Sequence, residues 1–217
     1  MRIESCDATA WSLKPDAGRA MQPRVPTEET LLDWVERLAV AAPDHVAVSL
    51  GQTRLSYAAL YRRAASLAAF LDELGIGHGD VVAVQLPNGI ELLAAYLATG
   101  FVGAVLQPLH MPYRAAEIEV LLRHGKAKAV ICLAETKDFA PASLMLALRE
   151  RLPSLSQVIA VGEGAPAGAV EFPTIFDRQL PRLRRPEASD RFLLLYTSGT
   201  SAAPTGCLLY TSDAADD

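Results

Sequence analysis

The stretch Val81–Leu109, VVAVQLPNGIELLAAYLATGFVGAVLQPL, decides the fold class. Val81–Leu86 is a nearly continuous apolar run of strand length, the pattern of a strand covered on both faces. Pro87, Asn88 and Gly89 interrupt it, and Asn88 is placed to cap a helix over Ile90–Phe101. Ala104–Leu109 then reads as a second buried strand. A strand, a helix and a strand in this order form a parallel crossover unit, which is right-handed almost without exception. A membrane span over the uncharged segment Leu92–Tyr113 is the competing reading. Gly100, Gly103, Gln107 and Pro108 split that segment into helix-sized and strand-sized pieces, so no span is expected.

The alternation extends in both directions. Upstream, Leu60, Ala64, Leu67, Leu71 and Leu74 form one apolar stripe of a helix that Ser56 caps and Gly75 stops. Before it, HVAVSL and TRLSY flank Gly51-Gln52 as a short hairpin. Before that, Leu31, Val35, Leu38 and Ala42 mark a helix with Thr27 as its cap and Pro43 as its end. Residues 1–27 carry Pro15, Pro23 and Pro26 without periodicity and read as a surface leader. Downstream come a helix ending near His124-Gly125, a strand Ala127–Leu133, a helix Ala142–Leu152 and a strand Gln157–Val161. A Gly-, Pro- and Arg-rich connection with a short helix at Thr174–Leu180 leads to the buried strand Phe192–Tyr196. The expected fold is therefore α/β, a mostly parallel sheet flanked by helices.

The chain has 217 residues, 51% of them hydrophobic and 21% charged, which is a core-forming composition and excludes a disordered chain. Twenty basic residues stand against 25 acidic ones, with no basic patch interleaved with aromatics, so no nucleic-acid partner is expected. Cys6, Cys132 and Cys207 are odd in number and widely spaced, which builds neither a disulfide framework nor a CxxC metal site. With no signal-peptide h-region in the first twenty residues, a cytoplasmic location is expected.

Directly after the last strand comes TSGTSAAPTG, Thr197–Gly206, with five hydroxyl side chains, two glycines and a proline in ten residues. Glycines let backbone N–H groups approach an anion, and hydroxyls add rotatable donors. By composition alone the segment fits an ordinary polar turn equally well, and it lacks the GxxxxGK spacing of a Walker loop.

Tyr196–Gly206, YTSGTSAAPTG, resembles the phosphate-binding signature Y/F-TSG-S/T-TGxPKG of the adenylate-forming acyl-CoA synthetases. LSYAAL, GDVVAVQLPN, GAVLQPLHMPYRAAEIEVLL and AKAVI are similar, in order, to that family's N-terminal half, so the resemblance covers about residues 27–206. PLHMPYRAAEI followed by LPSLSQVIAVG is most similar to the medium-chain and cyclic-acid CoA ligases. The resemblance implies an acid:CoA ligase that uses ATP with Mg2+ to activate a small carboxylic acid as its acyl adenylate and passes the acyl group to coenzyme A. It assigns Thr197, Ser198, Gly199, Thr200, Ser201, Thr205 and Gly206 to the ATP phosphates. It implies no catalytic residue within this chain, because the family's magnesium-binding acid, ribose-binding Asp and catalytic Lys belong downstream of Gly206. The chain by itself is thus expected to be inactive. Three positions depart from the signature: Ser201 replaces a threonine but keeps a hydroxyl, Ala202 replaces a glycine, and Thr205 replaces the lysine, which removes a point charge from the triphosphate. The alternatives are an adenylation domain of a peptide synthetase, an aryl-acid ligase, or a non-catalytic adenine-nucleotide-binding relative.

Other polar residues carry plainer expectations. His110 and His124 are read as structural, Arg114 and Glu117 as a surface pair, Arg182, Arg184 and Arg185 as a solvated face, and Cys132 as an inert core thiol. The final segment Cys207–Asp217, CLLYTSDAADD, is compatible codon by codon with a transposase adaptor of short-read library preparation. It is expected to be a fusion scar outside the fold. Setting aside Asp213, Asp216 and Asp217 lowers the acids from 25 to 22 and moves the net charge from -5 to -2. The organisation expected is a leader 1–27, the N-terminal part of an adenylation domain 28–206, and a non-native tail 207–217.

Overall fold

A computed structural model of the chain describes residues 4–5, 29–179, 185–197 and 205–210. After the edge strand β1 (Glu4–Ser5) come α1 (Leu31–Ala41) and a separate hairpin of β2 (Val46–Leu50) and β3 (Thr53–Ser56). Next follow α2 (Tyr57–Glu73), β4 (Val81–Gln85), α3 (Ile90–Phe101), β5 (Val105–Pro108), α4 (Ala115–Gly125) and β6 (Ala129–Leu133). The chain continues through α5 (Pro141–Arg149), β7 (Gln157–Val161), β8 (Val170–Glu171), β9 (Arg191–Thr197) and β10 (Thr205–Tyr210). The main sheet has the order β1-β10-β9-β5-β4-β6-β7-β8. Strands β4 to β9 are mutually parallel, β10 is antiparallel to β9, and β1 is parallel to β10. The α/β architecture read from the sequence is the one observed.

The apolar strands are continuous because both faces are covered. Val82, Val84, Ala129, Ile131 and Ile159 join the core beneath α1, α2 and α3. Their neighbours Ala83, Val130, Cys132, Val158 and Ala160 join a second core beneath α4 and α5. Each strand thus sends alternate side chains into opposite layers. In α2 the stripe residues Ala64, Leu67 and Leu71 are fully buried. Gly75, at φ +75°, ends that helix, with N–H bonds returning from Gly75 to Asp72 and from Ile76 to Leu71.

Several local expectations are corrected. Helix α1 is capped by Thr30, and Thr27 lies outside the described residues. The Asp33 N–H donates to Thr30 Oγ1 while the Thr30 N–H and hydroxyl donate to Asp33 Oδ2, a reciprocal capping box. Helix α3 is capped by the extended backbone of Gly89 without a side-chain bond from Asn88. Helix α5 ends at Arg149 rather than Leu152. Residues 174–179 form no helix: Phe176 packs against Phe172 and lies under Arg63, while the Arg178 N–H donates to buried Ser66 Oγ. Strand β10 includes Cys207–Tyr210, four residues of the segment set aside as a tail. Apolar Cys207, Leu208 and Leu209 suit a strand beside β9 whatever their origin.

The capping box makes stability depend on pH. Burial alone would raise the Asp33 carboxyl, but the Thr30 N–H and hydroxyl and the Arg185 guanidinium outweigh it and hold the carboxyl below its ordinary value. A depressed carboxyl stabilises the fold above the unfolded value of about 4, and that contribution is lost as pH falls through the folded value. The stability gap between the wild type and Asp33→Asn is therefore expected at pH 6 and should shrink steadily below about pH 4. Urea titrations at the two pH values check this, and a gap independent of pH would refute it.

Candidate functional site

The parallel strands β4, β5 and β9 present their carboxyl ends on one edge of the sheet, at Gln85, Pro108 and Thr197. From β4 the chain passes through α3 to β5 on one side, then through α4 to β6 on the other side of β4. Such a reversal opens a crevice outside the carboxyl ends, where ligands bind in open α/β sheets. A cleft of about 600 Å3 lies there, between Leu86–Asn88, the turn Leu109–Tyr113 and the end of β9 at Tyr196. A larger depression of about 1110 Å3 lies along α1, away from the strand ends. Its charges are already paired, with Arg185 Nη2 held 2.7 Å from Asp33 Oδ1 and 2.8 Å from Glu36 Oε2, so the edge cleft is the better candidate.

Two glutamines to which the sequence alone gave no part in a site shape this edge. Gln85 and Gln107 are buried at the ends of otherwise apolar strands, and a polar residue inside such a run is the signal that could have found them. Gln85 Nε2 donates to the carbonyls of His110 (3.0 Å) and Tyr113 (3.2 Å), which pins the turn at the cleft. Gln107 Nε2 donates to the carbonyl of Leu121 in α4 (2.9 Å). The Gln107 amide occupies the space where a Cβ at Gly125 would stand, so a glycine is required there for close packing. The left-handed residue that ends α4 is instead Lys126, at φ 52°.

The loop residues are reached through β9. Thr197 pairs with Thr205 across the antiparallel β9–β10 ladder, and Tyr196 pairs with Gly206. The seven positions 198–204 connect these strands; Ser198, Gly199, Thr200 and Ser201 lie outside the described residues. The backbones of Thr197, Thr205 and Gly206 are thus brought together at the base of the connection, on the same sheet edge as the cleft.

His110 is exposed at the cleft, its ring 5.7 Å from that of Tyr113. His124 lies in the last turn of α4, with Nδ1 2.6 Å from Tyr196 Oη. Burial pushes the Tyr196 phenol up to about 12, which keeps it protonated beside His124. Arg114 and Glu117 are not the side-chain pair expected: Glu117 Oε2 accepts the Arg114 backbone N–H at 3.1 Å, while the guanidinium lies over Phe139. Cys132 is buried and its thiol is pushed up to about 12 by desolvation, as suits an inert core thiol. Arg182 and Arg184 lie outside the described residues. Among the described residues, no group of three or more His, Cys, Asp or Glu could hold a metal ion. Nor, among the described residues, is any helix long and apolar enough to cross a membrane.

A family model described as AMP-binding enzyme matches residues 35–215. The chain belongs to the AMP-binding enzyme family. Among its relatives in that family, the medium-chain fatty-acid–CoA ligase of Escherichia coli is 32% identical over 186 residues, covering 84% of this chain and 33% of that protein. Tyrocidine synthase 2 of Brevibacillus parabrevis is 30% identical over 182 residues, again 84% of this chain but 4% of the larger protein. The crystal structure of the anthranilate CoA ligase AuaEII with anthranoyl-AMP has the same fold, with a TM-score of 0.77 and 21% identity, covering 87% of this chain and 36% of that one. The chain therefore spans a third or so of the CoA ligases it matches.

Proposed function

We propose that this chain is the N-terminal, phosphate-holding part of an ATP-dependent acid:CoA ligase that converts a carboxylic acid to its acyl adenylate and then to a CoA thioester. The observation that carries the reading is the pairing of Thr197 with Thr205 and of Tyr196 with Gly206 at the carboxyl end of β9 in an AMP-binding chain. Strand β9 runs parallel to β5 to that edge of the sheet, and the Thr197–Thr205 pair closes the base of the connection 198–204. Thr197, Ser198, Gly199, Thr200, Ser201, Thr205 and Gly206 would donate N–H and O–H groups to the β- and γ-phosphates. Oxygen donors of this kind fit a triphosphate carrying magnesium, a hard cation that would neutralise part of its charge. The acid's oxygen attacks the α-phosphate, pyrophosphate leaves, and the thiol of coenzyme A displaces AMP from the acyl adenylate. Residues 207–217 are proposed to be adaptor-derived, and a cytoplasmic setting is proposed.

The test begins with the natural gene, read contiguously through the codon for Gly206, and its complete product. Acid-dependent exchange of pyrophosphate into ATP is expected with medium-chain or cyclic acids and not without acid. CoA thioester formation separates a CoA ligase from a carrier-loading adenylation domain, a second reading that the similarity to tyrocidine synthase 2 favours. MgATP binding without exchange by any acid would replace the proposal with a non-catalytic nucleotide binder, the reading that Ala202 and Thr205 favour.

A further inference from the structure

Tyr196 and His124 are 72 residues apart in sequence yet meet at 2.6 Å, and no part of the adenylation chemistry proposed above uses either. Their rings pack edge to face, with centroids 5.5 Å apart at 75°. Gly206 completes the cluster from β10: a Cβ there would lie 3.2 Å from Tyr196 Cε1, 3.4 Å from Leu194 Cδ1 and 3.6 Å from His124 Cε1. Tyr196 is thus held between a helix and the partner strand, one residue before Thr197, at the last rung but one of the ladder. Helix α4 can serve as an anchor because its own position is set independently. Gln107 on β5 holds Leu121, one turn before His124. Tyr196 is half-buried, so its hydroxyl needs a partner, and His124 Nδ1 is that partner.

We infer that the Tyr196–His124 hydrogen bond is a latch that fixes the base of the 198–204 connection, making both residues positioning residues for the phosphate-holding segment. Its consequence for nucleotide rests on the function proposed above; the latch itself does not. Loss of either group frees the Tyr196 ring and loosens the Tyr196–Gly206 rung without altering the far strands of the sheet.

The test compares the wild-type chain with Tyr196→Phe, His124→Leu and His124→Asn. Asparagine places an acceptor where Nδ1 stands, whereas leucine does not. Amide hydrogen exchange is followed at Gly206–Leu209 in β10, with Val130 and Ile159 in β6 and β7 as remote reporters. MgATP and inorganic tripolyphosphate are titrated into the same samples. Tyr196→Phe and His124→Leu are expected to speed β10 exchange roughly five-fold, the weight of one neutral hydrogen bond, with the remote amides unchanged. His124→Asn is expected to retain wild-type protection. Both probes should bind the two loosened variants about five-fold more weakly. Unchanged β10 exchange, or equal acceleration at Val130 and Ile159, overturns the latch, as does undiminished binding in a loosened variant when the wild type binds. If the wild type binds neither probe, the phosphate reading falls and exchange alone decides: a contrast confined to β10 supports the latch and its loss overturns it.

Discussion

Replacing Phe192 by alanine is expected to lower the unfolding free energy by about 3–5 kcal/mol, the range for removing a buried aromatic ring. Phe192 is 2% exposed and packs edge-on against Tyr96 of α3, with centroids 4.9 Å apart at 82°. Its ring also fills the notch left by Gly100, where a Cβ would come within 2.9 Å of Phe192 Cε2. Helix α3 is therefore grooved at Gly100 to receive this ring together with Leu32 of α1, and the loss of the ring leaves a cavity in close-packed surroundings. The melting temperature should fall on the order of 10 °C for a chain of this size. Leu195, three residues on, is 36% exposed, and Leu195→Ala should change stability by no more than about 0.5 kcal/mol. Urea titration with an unchanged m-value checks both. A Phe192→Ala loss below about 1 kcal/mol would mean that β9 does not dock on α3 as described. Since β9 carries Thr197, that docking also bears on the segment assigned to phosphate.

Thr205→Lys is expected to tighten MgATP binding about ten-fold or more, the weight of one hydrogen bond to a charged group. Position 205 opposes Thr197 on the ladder, so a side chain there starts from the base of the connection 198–204. An ammonium at that point supplies the positive charge that the signature carries and this chain lacks. The gain should shrink as salt is raised from 0.01 M towards 0.15 M, because the Debye length falls from about 30 Å to about 8 Å. Thr205→Met lengthens the side chain without the charge and removes the hydroxyl, so it should bind no more tightly than the wild type. Calorimetric titration of the three proteins at both salt concentrations measures this, and equal affinities for the Lys and Met variants would remove Thr205 from the phosphate site.

The candidate site was partly legible. Thr197–Gly206 was singled out as hydroxyl- and glycine-rich after a buried strand, a local pattern that fits a polar turn as well, and only its likeness to the signature assigned it to phosphate. The cleft did not, since its lining comes from β4, β5 and β9, which are distant in sequence. His124 was read as structural on its own surroundings; its partner Tyr196 lies across the fold, and no spacing rule links them. The helix expected at 174–180 failed for a related reason. Phe172, Phe176 and Arg178 find ring and hydrogen-bond partners on α2 and within their own segment, and these outweigh a weak helical preference.

What the sequence determined by itself is the alternation: the apolar runs at Val81, Val105, Ala129 and Gln157, and the stripe from Leu60 to Leu71, each encode their element within a few residues. Two-sided burial was readable too, because a strand covered on both faces has no polar side to show. Tertiary structure alone decided the order β9-β5-β4-β6-β7, the division of Val82 and Ala83 between two cores, and the meeting of Tyr196, Gly206 and His124. Periodicity reports how a segment lies against its surroundings, whereas strand neighbours and close pairs depend on which distant surfaces fit together. That fit is settled only when the whole chain packs.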